Sequence, residues 1–436
     1  MLEQTRYDVA IVGGGPAGAS AAYLLARKGF KTVILERGRG GGSKELYGGR
    51  VYAPPLREVW PSLDKEAPIQ RWVRQERISV VSGERVLTVE YDSPDAISFT
   101  AYLPELARWM VGKAEEAGAL FVDEVRVDSI VRDDKGRVVG VRSGPDTLYA
   151  DVVIDAEGVN RLLLEGLGLV KPLKATESPI ALGVKEVLKV KESQIEERFG
   201  LEKGSGLAWV VAGSVTGGLP GGAFIYTFKN MVSIGVVVHL GHAYRAIESG
   251  KFDSHVKDLV EALRLHPFFR RFWRDADVME YGAHLTIEGG LKFMPKTLVL
   301  DGLVIVGDAA GFLLNTGYTI RGVDFAVYSG KLAAEAVEIA HNMGGMTREN
   351  LKVYEDMVKR SFIYRELVKH EGISHIMSNP DFFTKYPELA IGVMKKLFEA
   401  PYEHPTIYEA FIESSREVGL PLLRLAGEAL RVVNRL

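Results

Sequence analysis

Hydrophobic positions in the first forty residues change spacing twice. Tyr7-Asp8-Val9-Ala10-Ile11-Val12 is a short, nearly unbroken apolar run, as expected of a strand buried on both faces. Glycines follow, then a helical pattern from Ala17 to Lys28, then a second apolar run, Thr32-Val33-Ile34-Leu35, ending at Glu36. This is the pattern of a βαβ unit. Gly38 to Arg50 is glycine-rich and basic and predicts a flexible loop outside the core. Leu103 to Ala117 reads as a helix. Leu120 to Arg132 and Arg137 to Arg142 read as β-rich pieces joined by the turn Asp133-Asp134-Lys135-Gly136, and Val152-Val153-Ile154 as another buried strand. From about residue 178 to 240 the texture is strand-like, with Ala208 to Ala212, Ala223 to Phe228 and Met231 to Val238 separated by Gly, Pro and Asn turns. Leu303-Val304-Ile305-Val306 returns to the buried type and leads through Gly307-Asp308 into a long helix reaching Ala340; residues 347–436 read as helices.

The order predicts an α/β chain with a discontinuous Rossmann-type nucleotide-binding domain (1–75, 100–170 and 290–345). A β-rich domain (76–99 and 171–289) and a helical C-terminal region (346–436) complete it. A length of 436 residues suits two to three domains of roughly 150 residues each. The chain has no cysteine, which excludes disulfides and any Cys-held zinc or iron–sulfur cluster on this chain alone. Basic and acidic residues nearly balance, 54 against 57, so there is no electrostatic footprint for nucleic acid. The nine histidines are scattered; His239 and His242 form the one close pair and, with no carboxylate nearby in sequence, read as solvated or capping residues. No metal site is expected. No stretch reaches the roughly 18 uninterrupted apolar residues of a spanning helix, so a cytoplasmic chain is expected.

The chemistry is concentrated at strand ends. In Gly13-x-Gly15-x-x-Gly18, Gly13 permits the tight turn, Gly15 lets backbone N–H groups approach a pyrophosphate at a helix N-terminus, and Gly18 lets helix and strand pack closely. Glu36, eighteen residues beyond Gly18, is placed to accept hydrogen bonds from a ribose 2′-hydroxyl and would repel a 2′-phosphate. Gly307-Asp308-Ala309-Ala310-Gly311 is a second signal, although Asp308 can equally be a helix cap. Val152 to Gly158, with Asp155-Ala156-Glu157-Gly158, is a third. Three sugar- or phosphate-facing strand ends in this order favour FAD over NAD.

Residues 7–40, 151–160 and 300–325 together resemble the flavoprotein group of aromatic hydroxylases, geranylgeranyl reductases and electron transfer flavoprotein:quinone oxidoreductases. Ser43-Lys44-Glu45-Leu46-Tyr47-Gly48-Gly49-Arg50-Val51-Tyr52 resembles the last branch, and more narrowly its FixC-type subunits. So do Gly221-Gly222-Ala223-Phe224-Ile225-Tyr226 through Val238, Tyr281 to Lys296, and Asn315-Thr316-Gly317 with Arg321-Gly322. The resemblance covers most of residues 5–400. It implies an oxidoreductase that binds FAD, takes electrons from the alpha and beta subunits of an electron transfer flavoprotein and reduces a membrane quinone. Because this chain has no cysteine, it also implies the split form, in which a separate small ferredoxin-like subunit carries a [4Fe-4S] cluster.

Carried over by motif, the flavin contacts expected are Gly13, Gly15, Pro16, Ala17, Gly18, Glu36, Arg37, Val127, Ala156, Gly158, Gly307, Asp308 and Gly311, with Asn315, Thr316 and Gly317 near the flavin ring. Lys44, Gly48, Gly49 and Arg50 are expected over the isoalloxazine, or else form a mobile surface loop. Gly221 and Gly222 face the quinone head, or else make a bulge or tight bend. No catalytic side chain is expected, because flavin and quinone carry the chemistry. Two departures from the family pattern stand out: Leu103 occupies the place of an arginine, and Glu157 that of an aspartate. A leucine-rich face and a basic face on residues 422–436 suit either core packing or a membrane surface; with the quinone, the latter implies peripheral association with the inner face of the cell membrane. The alternative function is a geranylgeranyl (prenyl-lipid) reductase, although that branch's Pro-x-x-Tyr-x-Trp-x-Phe-Pro signature has no counterpart here. An aromatic monooxygenase is a third.

Overall fold

The computed structural model describes residues 6–43, 48–174, 176, 180–377 and 379–433. The βαβ unit forms as its pattern predicts: β1 (Arg6–Val12), α1 (Pro16–Arg27) and β2 (Thr32–Leu35). Both strands are flanked by parallel neighbours. Residues Leu120–Val122 lie beside β2, and the long strand β3 (Asp146–Asp155) lies beside β1. Leu303–Ile305, here β4, runs parallel to β3 and completes the row, with Val299–Leu300 antiparallel at its edge. α1 and α2 (Val323–Asn342) pack directly on each other and join the same buried core as this sheet. Ser20 Oγ bonds the carbonyl of Val327, and a Cβ at Gly330 would lie 2.2 Å from the carbonyl oxygen of Ala17, so the two helices meet at backbone contact.

The second sheet is mixed. Its order runs from β11 (Asp277–Ile287) through β6 (Ile180–Lys189), β10 (Met231–His239), β9 (Gly221–Thr227) and β7 (Ser205–Gly213) to β5 (Ile69–Ser82), then Ser98–Ala101 and Gly49–Tyr52. β8 (Arg85–Asp92) is the antiparallel hairpin partner of β5, off this row. One face of this sheet carries Leu207, Trp209, Ile225, Ile234 and Val236 into a core closed by Phe269, Phe272 and Trp273. The opposite face alternates with it, as a strand's period of two requires, and carries Gly222, Phe224 and Tyr226 on β9 and Gly235, Val237 and His239 on β10.

Three features differ from the sequence expectations. The stretch 120–132 is interrupted: only Leu120–Val122 and Ser129–Arg132 are strand, and Val127 lies in the half-buried connection. The strand over 69–82 carries Arg71, whose guanidinium is fully buried and satisfied by the carbonyls of Phe228 (2.7 Å) and Ser205 (2.9 Å). The described part of the 38–50 loop is packed rather than loose: Gly41 and Gly42 are buried against Ala107 and Val111 of the helix Leu103–Glu116, too close for a side chain. Beyond α2, the helix Arg348–Arg360 joins the core of the first sheet through Leu351, Tyr354 and Val358.

Candidate functional site

The three strand ends singled out in the sequence converge. Gly13 adopts φ +104°, and a Cβ there would sit 2.3 Å from the carbonyl oxygen of Ala156; Ala156 N–H in turn donates to Val12. Gly18 faces the Gly13 carbonyl at a distance that excludes any side chain, so the turn and the start of α1 are as close as a phosphate cradle requires. Gly15 caps α1, with Pro16 in its first turn and Ala17 behind it. Gly307 lies over Ala17, and its N–H donates to Ser329 Oγ. The residues present therefore form a cradle that fits a dinucleotide's pyrophosphate: glycines where backbone must approach, and a helix N-terminus pointing at the turn.

Glu36 ends β2 and is buried; its carboxylate accepts N–H groups from Gly14 (2.9 Å) and Gly38 (2.6 Å), which fixes the acid beside the cradle. Arg37 next to it is exposed. Asp308 lies in the tight turn Gly307–Ala310; loss of water pushes its carboxyl up to about 6, against the pull of Arg161. Arg161 was not foreseen. It adopts a left-handed backbone conformation (φ 55°), and its buried guanidinium donates to the carbonyls of Phe293 (2.6 Å) and Asp308 (3.3 Å), bracing the turn. Glu157 is a helix cap: both carboxylate oxygens accept Leu163 N–H at 3.0 Å, and one also accepts Leu164 N–H. Asp155 is fully buried, accepts Glu157 N–H, and has one oxygen without a partner among the described residues. Burial and the neighbouring Glu157 carboxylate hold its carboxyl well above the usual range. Gly158 takes the positive φ that ends this strand, and Gly311 ends the Asp308 turn beside Arg161.

The second group of candidates lies on the second sheet and on a small hairpin after the Asp308 turn. Lys44 falls outside the described residues. Gly48 packs against the ring of Phe228, and its carbonyl accepts the buried Lys185 ammonium at 2.7 Å. Gly49 abuts Leu103, the residue standing in the family's arginine position. Arg50 is engaged by Glu76 and by Ser98 Oγ (3.0 Å) and stacks over Tyr52. Gly221 needs to be glycine for a local reason: with φ +155°, a Cβ would strike the Val237 carbonyl at 2.0 Å. Gly222 is half-buried on the face shared with Phe224 and Tyr226. Asn315 and Thr316 belong to a small hairpin that ends at Arg321; Asn315 Oδ1 accepts Gly317 N–H at 2.7 Å, and Thr316 is buried. His239 is neither solvated nor a side-chain cap. It is buried against Glu288, a carboxylate supplied 49 residues later, which no local pattern could reveal. Among the described residues no group of three or more His, Asp or Glu is arranged to hold a metal, and no helix is long and apolar enough to cross a membrane.

Residues 8–81 and 67–336 match the family model described as FAD dependent oxidoreductase. The probable electron transfer flavoprotein-quinone oxidoreductase YdiS of Escherichia coli (strain K12) is 37% identical over 402 residues, 91% of each chain. Protein FixC of the same strain is 36% identical over 424 residues, 96% of each. Among solved structures, a geranylgeranyl bacteriochlorophyll reductase-like protein from Thermoplasma acidophilum aligns with a TM-score of 0.69 over 95% of this chain and 97% of its own, at 19% identity. A probable FAD-dependent monooxygenase from Pseudomonas aeruginosa gives 0.62 over 87% and 98%, at 17% identity; at such identities the likeness is one of fold. Matched along nearly its whole length, the chain belongs to the FAD-dependent oxidoreductases and, within them, to the group of FixC and the electron transfer flavoprotein-quinone oxidoreductases, flavoproteins of electron transfer.

Proposed function

We propose that this chain takes electrons from an electron transfer flavoprotein, built of alpha and beta subunits, onto its FAD and passes them to a quinone. The observation that carries the reading is the near full-length relationship to proteins named as probable electron transfer flavoprotein-quinone oxidoreductases, which spans both sheets rather than the nucleotide-binding unit alone. FAD supplies the ability to accept electrons singly or in pairs. In this reading Gly13, Gly15, Pro16, Ala17 and Gly18 hold its pyrophosphate, and Glu36 its ribose, with Arg37 and Val127 alongside. Ala156, Gly158, Gly307, Asp308 and Gly311 line its middle, and Asn315, Thr316 and Gly317 its ring. Lys44, Gly48, Gly49 and Arg50 close over the ring, with Arg50 acting mainly to orient Tyr52, because Glu76 offsets its charge. The sheet face that carries Gly222, next to Gly221, receives the quinone head.

A small ferredoxin-like subunit with a [4Fe-4S] cluster completes the complex, since this chain has no cysteine of its own. Peripheral attachment to the inner face of the cell membrane is supported by exposed apolar side chains near the C-terminus, among them Phe398, Tyr402, Ile407, Tyr408 and Leu423. We further propose that the chain divides into a discontinuous flavin domain (1–75, 100–170 and 290–345), a β-rich domain (76–99 and 171–289) and a helical region (346–436).

The test is anaerobic stopped-flow of the FAD-loaded chain, with the cluster subunit added or withheld, against reduced electron transfer flavoprotein and a short-chain quinone. Flavin reduction by the first and reoxidation by the second are expected. Inertness to both, with saturation of a geranylgeranyl lipid under dithionite, would assign the chain to the prenyl-lipid reductases, whose fold it shares.

A further inference from the structure

His239 and Glu288 form a buried ionisable pair outside the flavin cradle, with side chains 3% and 2% exposed. His239 Nε2 lies 3.2 Å from Glu288 Oε2; the same oxygen accepts Asn315 Nδ2–H at 2.6 Å, and Oε1 accepts Thr286 Oγ–H at 3.3 Å. Asn315 and Thr286 both donate to the Glu288 carboxyl, and with Nε2–H of His239 as the third donor every partner it has among the described residues donates to it. The other nitrogen, Nδ1, is buried and has no partner among the described residues. A buried polar atom of this kind calls for a bound water or ligand.

The surroundings supply room for one. His239, Glu288, Asn315, Leu367, His370 and Glu371 line a cavity offering about 20 Å³ to the centres of water molecules, enough for a single water. His370 donates from Nδ1 to the Glu366 carbonyl at 3.0 Å, which leaves its Nε2 as the exchanging nitrogen, and Glu371 is exposed. The cavity thus joins two imidazoles, each tied down on one nitrogen, to the surface. The backbone N–H of His239 donates to the Pro220 carbonyl at 3.0 Å, which fixes the strand end that carries the ring. Its side chain shares the face of Gly222, because residue 237 pairs with 222 and strand side chains alternate. Through Glu288 it is tied to Asn315, in the hairpin assigned to the flavin ring.

We propose that His239, positioned by Glu288, is the proton donor of the redox site. The inference rests on the reading above. A quinone that takes up two electrons takes up two protons; when its reductant delivers two electrons with one hydrogen, one further proton is consumed. His239 as imidazolium gives that proton from Nδ1 and is left neutral, and Nδ1 regains a proton from the cavity water, replenished by solvent past His370 and Glu371. Glu288 keeps Nε2–H in place throughout and supplies the countercharge, much as a buried carboxylate orients a catalytic imidazole elsewhere. The titratable groups facing the ring are Glu288, His370, Glu371 and, from the following helix, His242, whose ring centre is 6.3 Å away.

Two measurements on the FAD-loaded chain test this. In the first, dithionite-reduced protein is mixed with a short-chain quinone across a range of pH. His239→Gln keeps a donor toward Glu288 but cannot titrate; reoxidation is expected to slow about a hundredfold and lose its pH dependence, with flavin content unchanged. Glu288→Gln is expected to fall between and to displace the profile. A His239→Gln profile within about twofold of wild type at every pH overturns the proposal. In the second, wild-type protein carrying ¹³Cε1-labelled histidine is titrated by NMR from about pH 5 to about pH 9, oxidised and reduced, with His239 assigned by comparison with the variant. A His239 midpoint that moves with the redox state supports the proposal; one that does not move, or a ring that does not titrate, overturns it. If His239→Gln fails to fold, Glu288→Gln provides the assignment. If the wild type is inert to quinone, the functional reading fails and the second measurement alone decides the proton donor.

Discussion

At the residue scale, the acids of the flavin cradle show how burial sets charge. The Asp308 carboxyl is raised from 3.8 to about 6, so the folded chain binds a proton there more tightly than the unfolded chain does. Stability therefore falls as pH rises from 3.8 to about 6 and carries the full penalty above that. Asp308→Asn removes the penalty. In the flavin-free chain it should leave stability near pH 4 unchanged and add about 1–2 kcal/mol above pH 6, discounted from the roughly 3 kcal/mol that the shift implies because Asp308 is only half-buried. Chemical denaturation at the two pH values measures this, and an equal gain at both would contradict it. The same scale explains which site residues could be read in advance. Gly13 and Gly18 announce themselves because only glycine fits where backbone meets backbone, and Gly307 because its turn takes a positive φ. Arg161 and Glu288 do not, since their partners, the carbonyls of Phe293 and Asp308 and the ring of His239, come from segments distant in the chain.

At the scale of elements, Glu157 illustrates how a local departure from the family pattern is absorbed. The longer acid spans the gap to the N–H groups of Leu163 and Leu164 and caps Leu162–Gly166, a reach that one methylene less would forfeit. Glu157→Asp, although it restores the family's usual residue, should cost about 1 kcal/mol in thermal or urea unfolding. Flavin affinity should be little changed; a variant as stable as wild type would show that the cap contributes nothing. The βαβ unit was legible because strands buried on both faces read as unbroken apolar runs. The strand Ile69–Ser82 was not named, since Arg71, Arg74, Glu76 and Arg77 break its apolar pattern and each finds a partner only in the folded chain. The loop 38–43 misled for the opposite reason. Its glycines suggest freedom, but they serve close packing on Ala107 and Val111.

At the scale of the molecule, exposed apolar side chains of the C-terminal region belong to none of the three buried hydrophobic clusters. Tyr402 is 93% exposed and Leu423 90%. If they meet a bilayer, replacing Tyr402 and Leu423 together with Glu should cut co-flotation of the chain with phospholipid vesicles by at least about tenfold while leaving flavin content intact. Unchanged flotation would assign this surface to a protein partner. The alternating polar and apolar pattern of residues 422–436 could not decide the matter alone, because core and interface helices share it.

The order in which the first sheet is assembled has a further consequence, for synthesis. β1 emerges among the first residues, yet its neighbour β3 lies about 145 positions downstream, and the sheet is finished only by β4, with Tyr354 then donating to the carbonyl of Ile305. A chain leaving the ribosome pairs β1 with β2 early but must hold the other edge of β1 open until β3 is made, and the end of β3 open until β4 follows, which favours slow maturation and exposure to aggregation. A fragment ending at residue 290 should accumulate as insoluble, flavin-free protein, whereas one retaining residues through 369 should stay soluble. Comparing the soluble yield and flavin absorbance of the two would show how late in its own synthesis the protein becomes able to hold its cofactor.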